Sequence, residues 1–310
     1  MSRSPFRADG AVATRIERLR ASIGAAFAER LDASLSEGAT LPADSVARLV
    51  DEFDLSSPRE VMLLALPAAE HLASPPISDF VVGAVGLEAA TGELILGGNV
   101  EFPGTDLATT IHGEGFVFAR AFARDTSVAA LAVGEARPCG HCRQTITEFA
   151  AWRELDLIDP LGHTLTMADL YPWPFEPRDL GQPGIVPGAT PWPDLALADG
   201  RVDPATIEAL VTAGRHAHAP YSRCPAAIAL GLHDGRVVTG STIENVAFDP
   251  TIGPLQAAVV ELLAFGHDYA AISSATLATT AGGPVQPTAG IQALLATIAP
   301  GVTLVETTWS

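Results

Sequence analysis

Apolar residues recur at steps of three and four along the first part of the chain, a spacing that places them on one face of a helix. The stripe is clearest in the first segment, where it consists of Ile16, Leu19, Ile23, Phe27 and Leu31. A second helix is predicted after Pro42, and a third begins at the start signal Ser57-Pro58-Arg59-Glu60. Residues 1–58 are therefore predicted to be an N-terminal helical region.

The hydrophobic pattern then changes to that of short strands. Residues 80–87 and 93–96 have strand-like sequences joined by the turn sequence Ala89-Ala90-Thr91-Gly92, which predicts a β-hairpin. A helix from Thr109 to Ala123, a buried strand over 128–133 and a helix from Pro138 to Leu155 are predicted to follow. This order of elements predicts an α/β domain over residues 59–162.

After this domain the chain becomes rich in proline and then repeats itself. Seven prolines fall within residues 171–194, so a linker is predicted over 163–194. Residues 219–248 resemble residues 75–102, which indicates an internal duplication and a second α/β domain over 195–310. The alignment places Ser78 on Ser222, Asn99 on Asn245 and Phe102 on Phe248.

Composition narrows the possible functions. The 310 residues carry 36 acidic and 18 basic side chains, a formal net charge of −18, and such a surface repels nucleic acid. All the basic residues are arginine, which excludes lysine nucleophiles and Schiff bases. Three cysteines cannot form a disulfide framework, and no apolar run is long enough to span a membrane. We expect a cytoplasmic protein that binds neither nucleic acid nor a membrane.

Two short motifs carry the candidate chemistry. His112-Gly113-Glu114 is predicted near the start of one helix, and Pro138-Cys139-Gly140-His141-Cys142 at the start of the next. Two thiolates and an imidazole suit tetrahedral zinc, and three protein ligands leave the fourth position for water, as in catalytic sites. Glu114 is then placed to move protons beside the metal.

The second copy lacks these residues. In the predicted alignment, His112 falls on Gln256 and Glu114 on Ala258, and no cysteine stands opposite those of the first copy. We therefore expect one metal ion per chain, with a catalytic domain and a degenerate, non-catalytic one.

Together the motifs closely resemble those of the large, homodimeric, zinc-dependent cytidine deaminases, which have two core domains per chain. Besides the His-x-Glu and Pro-Cys-x-x-Cys motifs, the resemblance includes residues 77–80, 98–102, 139–144, 220–222 and 244–248. It covers nearly the whole chain and is weakest in the N-terminal helical region. It implies two duplicated α/β/α domains with mixed sheets, assembled into a homodimer.

The resemblance also implies an activity: hydrolytic deamination of cytidine and 2′-deoxycytidine to the uridine products and ammonia, a step of pyrimidine salvage. One Zn²⁺ per chain would be bound by His112, Cys139 and Cys142. A zinc-bound hydroxide would attack C4, with Glu114 as the proton shuttle. The substrate would be contacted by Phe80 at the pyrimidine, Asn99 and Glu101 at the ribose, the Gly113 carbonyl at the amine, and Phe175 as a covering aromatic. The family usually has alanine in place of Gly113, a change that leaves a backbone role intact.

Other interpretations of these residues stay open. Cys-Gly-His-Cys is also the sequence of disulfide isomerases, although in thioredoxin-like sites an aromatic residue, rather than Pro138, precedes the first cysteine. Further alternatives are a structural zinc site, a zinc-stabilised binding protein without turnover, and a deaminase of nucleotides, free bases or nucleoside antibiotics. Outside the motifs, His216 and His218 are predicted to lie at the surface and Cys224 to be buried.

Overall fold

The computed structural model of the chain describes residues 6–134 and 137–310, which form two mixed α/β units. The first unit contains α1 (Gly10–Ser34), β1 (Thr40–Leu41), α2 (Ala43–Glu52), α3 (Pro58–Glu70), β2 (Gly83–Glu88), β3 (Leu94–Gly98), α4 (Gly113–Ala123), β4 (Val128–Val133), α5 (Gly140–Ile146), β5 (Asp156–Ile158), β6 (Thr164–Thr166) and α6 (Met167–Leu170). The second contains α7 (Pro204–His216), β7 (Ala227–Leu232), β8 (Val237–Ser241), α8 (Pro254–Ala264), β9 (Ile272–Thr279), α9 (Thr288–Ile298) and β10 (Leu304–Thr308).

A six-stranded sheet organises the first unit, in the order β1-β3-β2-β4-β5-β6. Strands β4 and β5 run parallel, and the other neighbouring strands run antiparallel. Helices α1, α2 and α3 cover one face, in a core that includes Phe27, Leu49 and Met62. Helix α4 covers the other face with its phenylalanines, among them Phe116 and Phe118. Burial on both faces explains why strands such as β4 consist almost entirely of apolar residues.

The second unit repeats this plan with a smaller sheet, in the order β10-β9-β7-β8. Strands β10 and β9 are parallel, whereas β9, β7 and β8 form antiparallel pairs. Helix α8 packs on one face of the sheet and α7 on the other. The predicted fold, two α/β/α units with mixed sheets, is therefore confirmed. No helix within the described ranges has both the length and the apolar composition needed to cross a bilayer.

The two units share one apolar core. Helices α4 and α8 pack against each other, and Phe116 belongs to the same cluster of buried residues as Leu255 and Val259. A buried ion pair between Arg120 on α4 and Glu261 on α8 also joins the units. The helix that begins at the candidate metal site is thus supported by the second unit.

Helix α4 begins later than the sequence predicts. The helix expected from Thr109 starts at Gly113, because residues 107–109 form a separate 3-10 turn. His112 then takes the extended N-cap conformation, with φ −80° and ψ 160°. The side chain of His112 is therefore presented from the end of the helix rather than from within it.

Helix α5 is shorter than predicted, ending at Ile146 instead of Leu155. Beyond the helix, Phe149 forms a bridge with Ile185, a pairing that a helix continuing to Leu155 would exclude. Ile185 lies in the segment 163–194 that was predicted as a linker. That segment also contributes β6 to the edge of the first sheet, followed by α6. Part of it is therefore packed on the first unit, while the boundaries of the predicted domains stay predictions.

Equivalent residues of the two units can be identified from their hydrogen bonds. The carboxylate of Glu101 accepts a hydrogen bond from the backbone N–H of Ser78, and the carboxylate of Glu244 accepts one from the N–H of Ser222. The predicted equivalence of Ser78 and Ser222 agrees with these contacts. It also makes Glu244 the counterpart of Glu101.

The rest of the predicted alignment is shifted. Asn245 follows Glu244 directly, so it is the counterpart of Phe102, and its predicted equivalence with Asn99 is wrong. The cause is a shorter hairpin in the second unit. The strand pairs at the hairpin bases are Gly83 with Gly98 and Ala227 with Ser241.

The counterpart of the metal-ligand motif shifts in the same way. Helix α8 begins at Pro254, as α4 begins at Gly113, so the residues that correspond to His112 and Glu114 are Gly253 and Leu255. They are not Gln256 and Ala258. The conclusion drawn from the predicted alignment still holds, because neither Gly253 nor Leu255 can replace a metal ligand or an acid.

Candidate active site

The three predicted metal ligands lie at the starts of two helices that pack together. His112 is the N-cap residue of α4, and Cys139 is the N-cap residue of α5. Cys142 lies in the first turn of α5, where it is buried, whereas Cys139 is exposed. The fold therefore brings together residues that the sequence places in two separate motifs.

The spacing of the three ligand atoms fits a tetrahedral ion. The His112 Nδ1 atom is 3.1 Å from Cys142 Sγ and 3.5 Å from Cys139 Sγ, and the two sulfur atoms are 3.5 Å apart. Tetrahedral zinc, with Zn–S bonds of about 2.3 Å and Zn–N bonds of about 2.0 Å, separates such ligand atoms by roughly 3.5–3.8 Å. All three atoms lie within 4.8 Å of one another. The donor set and its geometry therefore fit zinc.

The environment of α5 favours a thiolate at the first cysteine. Hydrogen bonds from the Cys142 thiol and from N–H groups at the helix start, together with His112, lower the pKa of Cys139 to about 4. The pKa of Cys142 is raised, because its thiol donates to Cys139 and is buried. The two shifts run in opposite directions, so the thiolate is favoured at Cys139 rather than at Cys142. A helix start is a suitable place for such a charge, because free N–H groups point toward it.

Glu114 lies in the first turn of α4, two residues after His112, and only 4% of its surface is exposed. Burial raises the pKa of Glu114, and the nearby Cys139 acts in the same direction. A carboxyl group with a raised pKa holds its proton more readily than an ordinary glutamate and can still release it during a reaction. The position of Glu114 and the direction of its pKa shift therefore suit a group that transfers protons.

Asn99 and Glu101 fix the loop that leads into β2. The Asn99 Oδ1 atom accepts from the Val82 N–H at 2.9 Å, and its Nδ2 atom donates to the Phe80 carbonyl at 2.8 Å. The carboxylate of Glu101 accepts from Ile77 and from the backbone and hydroxyl of Ser78. These hydrogen bonds outweigh the effect of partial burial and lower the pKa of Glu101.

Each of these two side chains keeps spare hydrogen-bonding capacity. The second N–H of the Asn99 amide and the remaining lone pairs of the Glu101 carboxylate can still meet a ligand. A role in holding the loop is therefore compatible with the predicted role in binding ribose.

The remaining candidate residues surround this loop at different depths. A Cβ atom added to Gly113 would lie 3.4 Å from the Val82 carbonyl oxygen and 3.4 Å from Ala84 Cβ, so Gly113 packs against the start of β2. Phe80 is 59% exposed and Phe175 is 44% exposed. Neither aromatic side chain is packed into the core, so both are free to contact a ligand or another chain.

Sequence reasoning assigned no role to several side chains that hold α5. Gln144 donates from Nε2 to the Phe175 carbonyl at 2.7 Å and to Asn245 Oδ1 at 3.2 Å, and Asn245 donates back to the Gln144 carbonyl at 2.8 Å. His218 is buried and bonded to Glu148, so its predicted surface location is wrong. Cys224 is buried, as predicted. Two sequence signals bear on this set: Gln144 falls within the motif that begins at Cys139, and Asn245 falls within residues 244–248 of the family resemblance.

A His-Cys-Cys group at two helix starts, beside a buried glutamate in an α/β/α unit, defines the class of zinc-dependent deaminases. Comparison with known proteins gives the family. Residues 55–154 and 167–290 each match the cytidine and deoxycytidylate deaminase zinc-binding region. The chain belongs to the cytidine deaminase family of zinc-binding proteins.

Two similar proteins match this chain over most of their length. A cytidine deaminase of Vibrio atlanticus is 32% identical over 264 residues, which cover 85% of this chain and 88% of the relative. One of Vibrio parahaemolyticus is 31% identical over 293 residues, covering 93% and 97%. A crystal structure of cytidine deaminase from Mycobacterium leprae, 28% identical, aligns with 38% of this chain and 100% of its own, at a TM-score of 0.34.

Proposed function

We propose that the protein hydrolyses cytidine and 2′-deoxycytidine to uridine and 2′-deoxyuridine, releasing ammonia. Water adds to C4 of the base, the bond between C4 and the exocyclic nitrogen breaks, and that nitrogen leaves with the protons it needs. The observation that carries the proposal is the His112-Cys139-Cys142 group with Glu114 buried beside it. The related proteins named cytidine deaminase support the choice of substrate.

His112, Cys139 and Cys142 would hold the zinc ion in this reaction. Bound zinc supplies Lewis-acid chemistry, lowering the pKa of a coordinated water from 15.7 to about 7. Glu114 does the proton transfer: it takes one proton from the attacking water and delivers it to N3 of the ring. It then takes the proton of the new C4 hydroxyl and delivers it to the departing amine, so that ammonia leaves and the C4 carbonyl forms. Its raised pKa lets one carboxyl group serve as both base and acid.

The loop held by Asn99 and Glu101 would bind the nucleoside. We assign the spare donor of Asn99 and the spare acceptors of Glu101 to the ribose hydroxyls. Phe80 would pack on the pyrimidine, and the carbonyl of Gly113 would accept a hydrogen bond from the exocyclic amine. Phe175 would cover the bound base. A neutral nucleoside suits a chain with a net charge of −18 better than a phosphorylated substrate does.

We further propose that the protein is a homodimer in the cytoplasm. Several large apolar side chains are exposed in the single chain and would be covered by a second copy: Ile77, Phe80, Val81, Leu107, Trp173, Phe175 and Phe248. Exposed apolar side chains that form a patch are typical of protein interfaces. The three free cysteines agree with a reducing compartment.

The test is a substrate comparison with the purified zinc-loaded protein. Cytidine and 2′-deoxycytidine should be deaminated, while cytosine, deoxycytidine monophosphate and a nucleoside antibiotic should react far more slowly. Turnover confined to the nucleotide or the free base would overturn the proposed substrate. Thiol-dependent reduction of insulin by protein without bound metal would favour an oxidoreductase instead.

The role of Glu114 has its own test. Glu114→Gln should keep bound zinc but lose roughly 10²–10⁴-fold in kcat, the range typical of acid–base groups. Glu154→Gln, which alters an exposed glutamate in a 3-10 turn, is the matched control and should leave kcat unchanged. Near-normal turnover by Glu114→Gln would remove the proposed mechanism.

A further inference from the structure

We propose that Glu148 is a positioning residue through which the non-catalytic unit fixes the zinc-binding helix α5. The proposal rests on the proposed function only for its effect on turnover. Its effect on metal binding stands on the geometry alone. It gives the second unit a direct part in the chemistry of the first.

Glu148 is 1% exposed, and its carboxylate takes its hydrogen bonds from the second unit. Oε1 accepts from His218 Nε2 at 2.7 Å and from the Tyr221 hydroxyl at 2.7 Å. Oε2 accepts from the Val246 N–H at 2.8 Å. Three donors thus converge from two separate segments, 218–221 and 246, on one carboxylate of the first unit.

Water cannot take the place of these donors, because the Glu148 carboxylate is buried. A buried carboxylate is stable only where donors replace the water it has lost. Burial and the nearby Glu148 raise the pKa of Tyr221, so its hydroxyl keeps its proton and remains a donor. Loss of any of these donors would leave the carboxylate under-satisfied, and the segment that carries it would shift toward other partners.

That segment leads directly back to the metal ligands. Glu148 lies in the turns that follow α5, and its N–H donates to the Thr145 carbonyl at 3.3 Å. Helix α5 has only 7 residues, beginning after Cys139 and including Cys142. Only five residues lie between Cys142 and Glu148, so a displacement of Glu148 reaches this ligand through a short stretch of chain.

Gln144 provides a second attachment of the same helix to the same unit. Its side chain and carbonyl pair reciprocally with the Asn245 amide, and its Nε2 atom also holds the Phe175 carbonyl. The second unit therefore holds α5 at Gln144 and the turn that follows it at Glu148. Nearer the N-terminus of the helix, Arg143 donates to the Pro138 and Leu170 carbonyls within the first unit.

The internal duplication explains the origin of the contact between Tyr221 and Glu148. In the first unit, the loop that includes Ser78 is held by Glu101 and forms part of the candidate active site. The corresponding loop of the second unit is held by Glu244 in the same way, but it presents Tyr221 to Glu148. The non-catalytic copy has thus kept the loop architecture of the fold and uses it to bind the neighbouring helix.

The test compares Glu148→Gln and Tyr221→Phe with the control Glu244→Gln in the zinc-loaded full chain. Glu244 is a buried carboxylate of the second unit, and a single oxygen of it accepts from the N–H groups of Tyr221 and Ser222. A glutamine keeps one such acceptor, so Glu244→Gln removes the charge and leaves the loop held. Glu148 accepts with both oxygens, so Glu148→Gln loses one acceptor. We expect Glu148→Gln to release zinc to a chelator about tenfold faster, as for lost outer-sphere partners of metal sites. Tyr221→Phe should have a smaller effect in the same direction, and Glu244→Gln should match the wild type.

Two further measurements separate positioning from general loss of stability. In the cobalt-substituted protein, Glu148→Gln should shift the cobalt d–d and thiolate charge-transfer bands, and Glu244→Gln should not. With cytidine, kcat should fall while KM stays within about twofold, because Asn99 and Glu101 are untouched. Tyr221→Phe should add little in the Glu148→Gln background, since both changes break one contact.

Equal zinc release and equal cobalt spectra for Glu148→Gln and wild type would overturn the inference. So would equal effects of Glu148→Gln and Glu244→Gln on zinc release. Absence of cytidine turnover in the wild type would refute the proposed function instead, and zinc release and the cobalt spectra would still decide the role of Glu148.

Discussion

The buried ion pair between the two units allows a quantitative test of how they stabilise each other. Arg120 on α4 is 3% exposed at its side chain and Glu261 on α8 is 14% exposed. The guanidinium also donates to the Gly38 carbonyl at 2.8 Å and lies 5.3 Å from the centre of the Phe265 ring. The variant Arg120→Met keeps most of the volume and removes the charge.

This change leaves the Glu261 carboxylate buried without its cation. Removing one partner of a buried pair costs about 3–5 kcal/mol, a large share of a total stability of about 5–15 kcal/mol. The Arg120 Nε and Glu261 Oε1 atoms have no hydrogen-bond partner among the described residues, so the pair is incompletely satisfied. Arg120→Met with Glu261→Leu should therefore recover at least half of the loss. The double variant should still be about 1–2 kcal/mol less stable than the wild type, because the Gly38 carbonyl loses the hydrogen bond from Arg120.

The loss of stability in Arg120→Met should also depend on pH, and the pKa of Glu261 gives the direction. Burial raises the pKa of Glu261, and Arg120 opposes that rise, so the pKa should be higher still in Arg120→Met. A carboxyl whose folded-state pKa exceeds its unfolded value favours the folded state at low pH and loses that advantage as pH rises. The difference in the free energy of unfolding between wild type and Arg120→Met should therefore become smaller as the pH falls toward about 4, near the ordinary glutamate pKa.

Urea unfolding at fixed zinc concentration measures both effects. The control is Arg48→Met, which breaks an exposed pair with Asp44 and should cost less than about 0.5 kcal/mol. A cost below about 1 kcal/mol for Arg120→Met would refute the reasoning, as would a double variant no more stable than the single one.

Two substitutions of glycine should have opposite outcomes. Gly113→Ala should keep near-normal cytidine turnover, because the new Cβ would lie 3.4 Å from Ala84 Cβ, an ordinary contact. A large loss of kcat would show that the start of α4 cannot accommodate the added methyl group. Gly240→Ala should lower the free energy of unfolding by about 1–3 kcal/mol, since its Cβ would lie 2.2 Å from the backbone nitrogen of Ala258 and push α8 off β8. Unchanged stability in urea would contradict that packing.

The metal site could be predicted from the sequence because its residues lie in two short motifs, each within a few residues of chain. His112 and Glu114 lie two residues apart at one helix start, and Cys139 and Cys142 three apart at another. The chemistry of these side chains limits what they can bind. The two units and the loss of ligands in the second copy could also be predicted, because the repeated strand pattern and the missing residues are visible without knowing the fold. The mixed sheets were implied only by the family resemblance, since a hydrophobic pattern does not reveal strand direction.

The contacts between the units could not be predicted. Glu148 and His218 are separated by 70 residues, and nothing in either local sequence indicates the other. Alignment by residue identity also paired Asn245 with Asn99 wrongly. The second hairpin is shorter, so the true counterpart of Asn245 is Phe102, and the match of the two asparagines is a coincidence. Hydrogen bonds identify Glu244 as the equivalent of Glu101, and only three-dimensional structure supplies them.

The central claim is that zinc held by His112, Cys139 and Cys142 acts together with Glu114 on a cytosine nucleoside. Its most direct test is to measure the metal content of the purified protein alongside its rate of cytidine deamination during stepwise removal of zinc by a chelator. We predict one zinc ion per chain, activity that falls in proportion to the zinc removed, and recovery when zinc is returned. Full activity in protein free of bound metal would contradict the account.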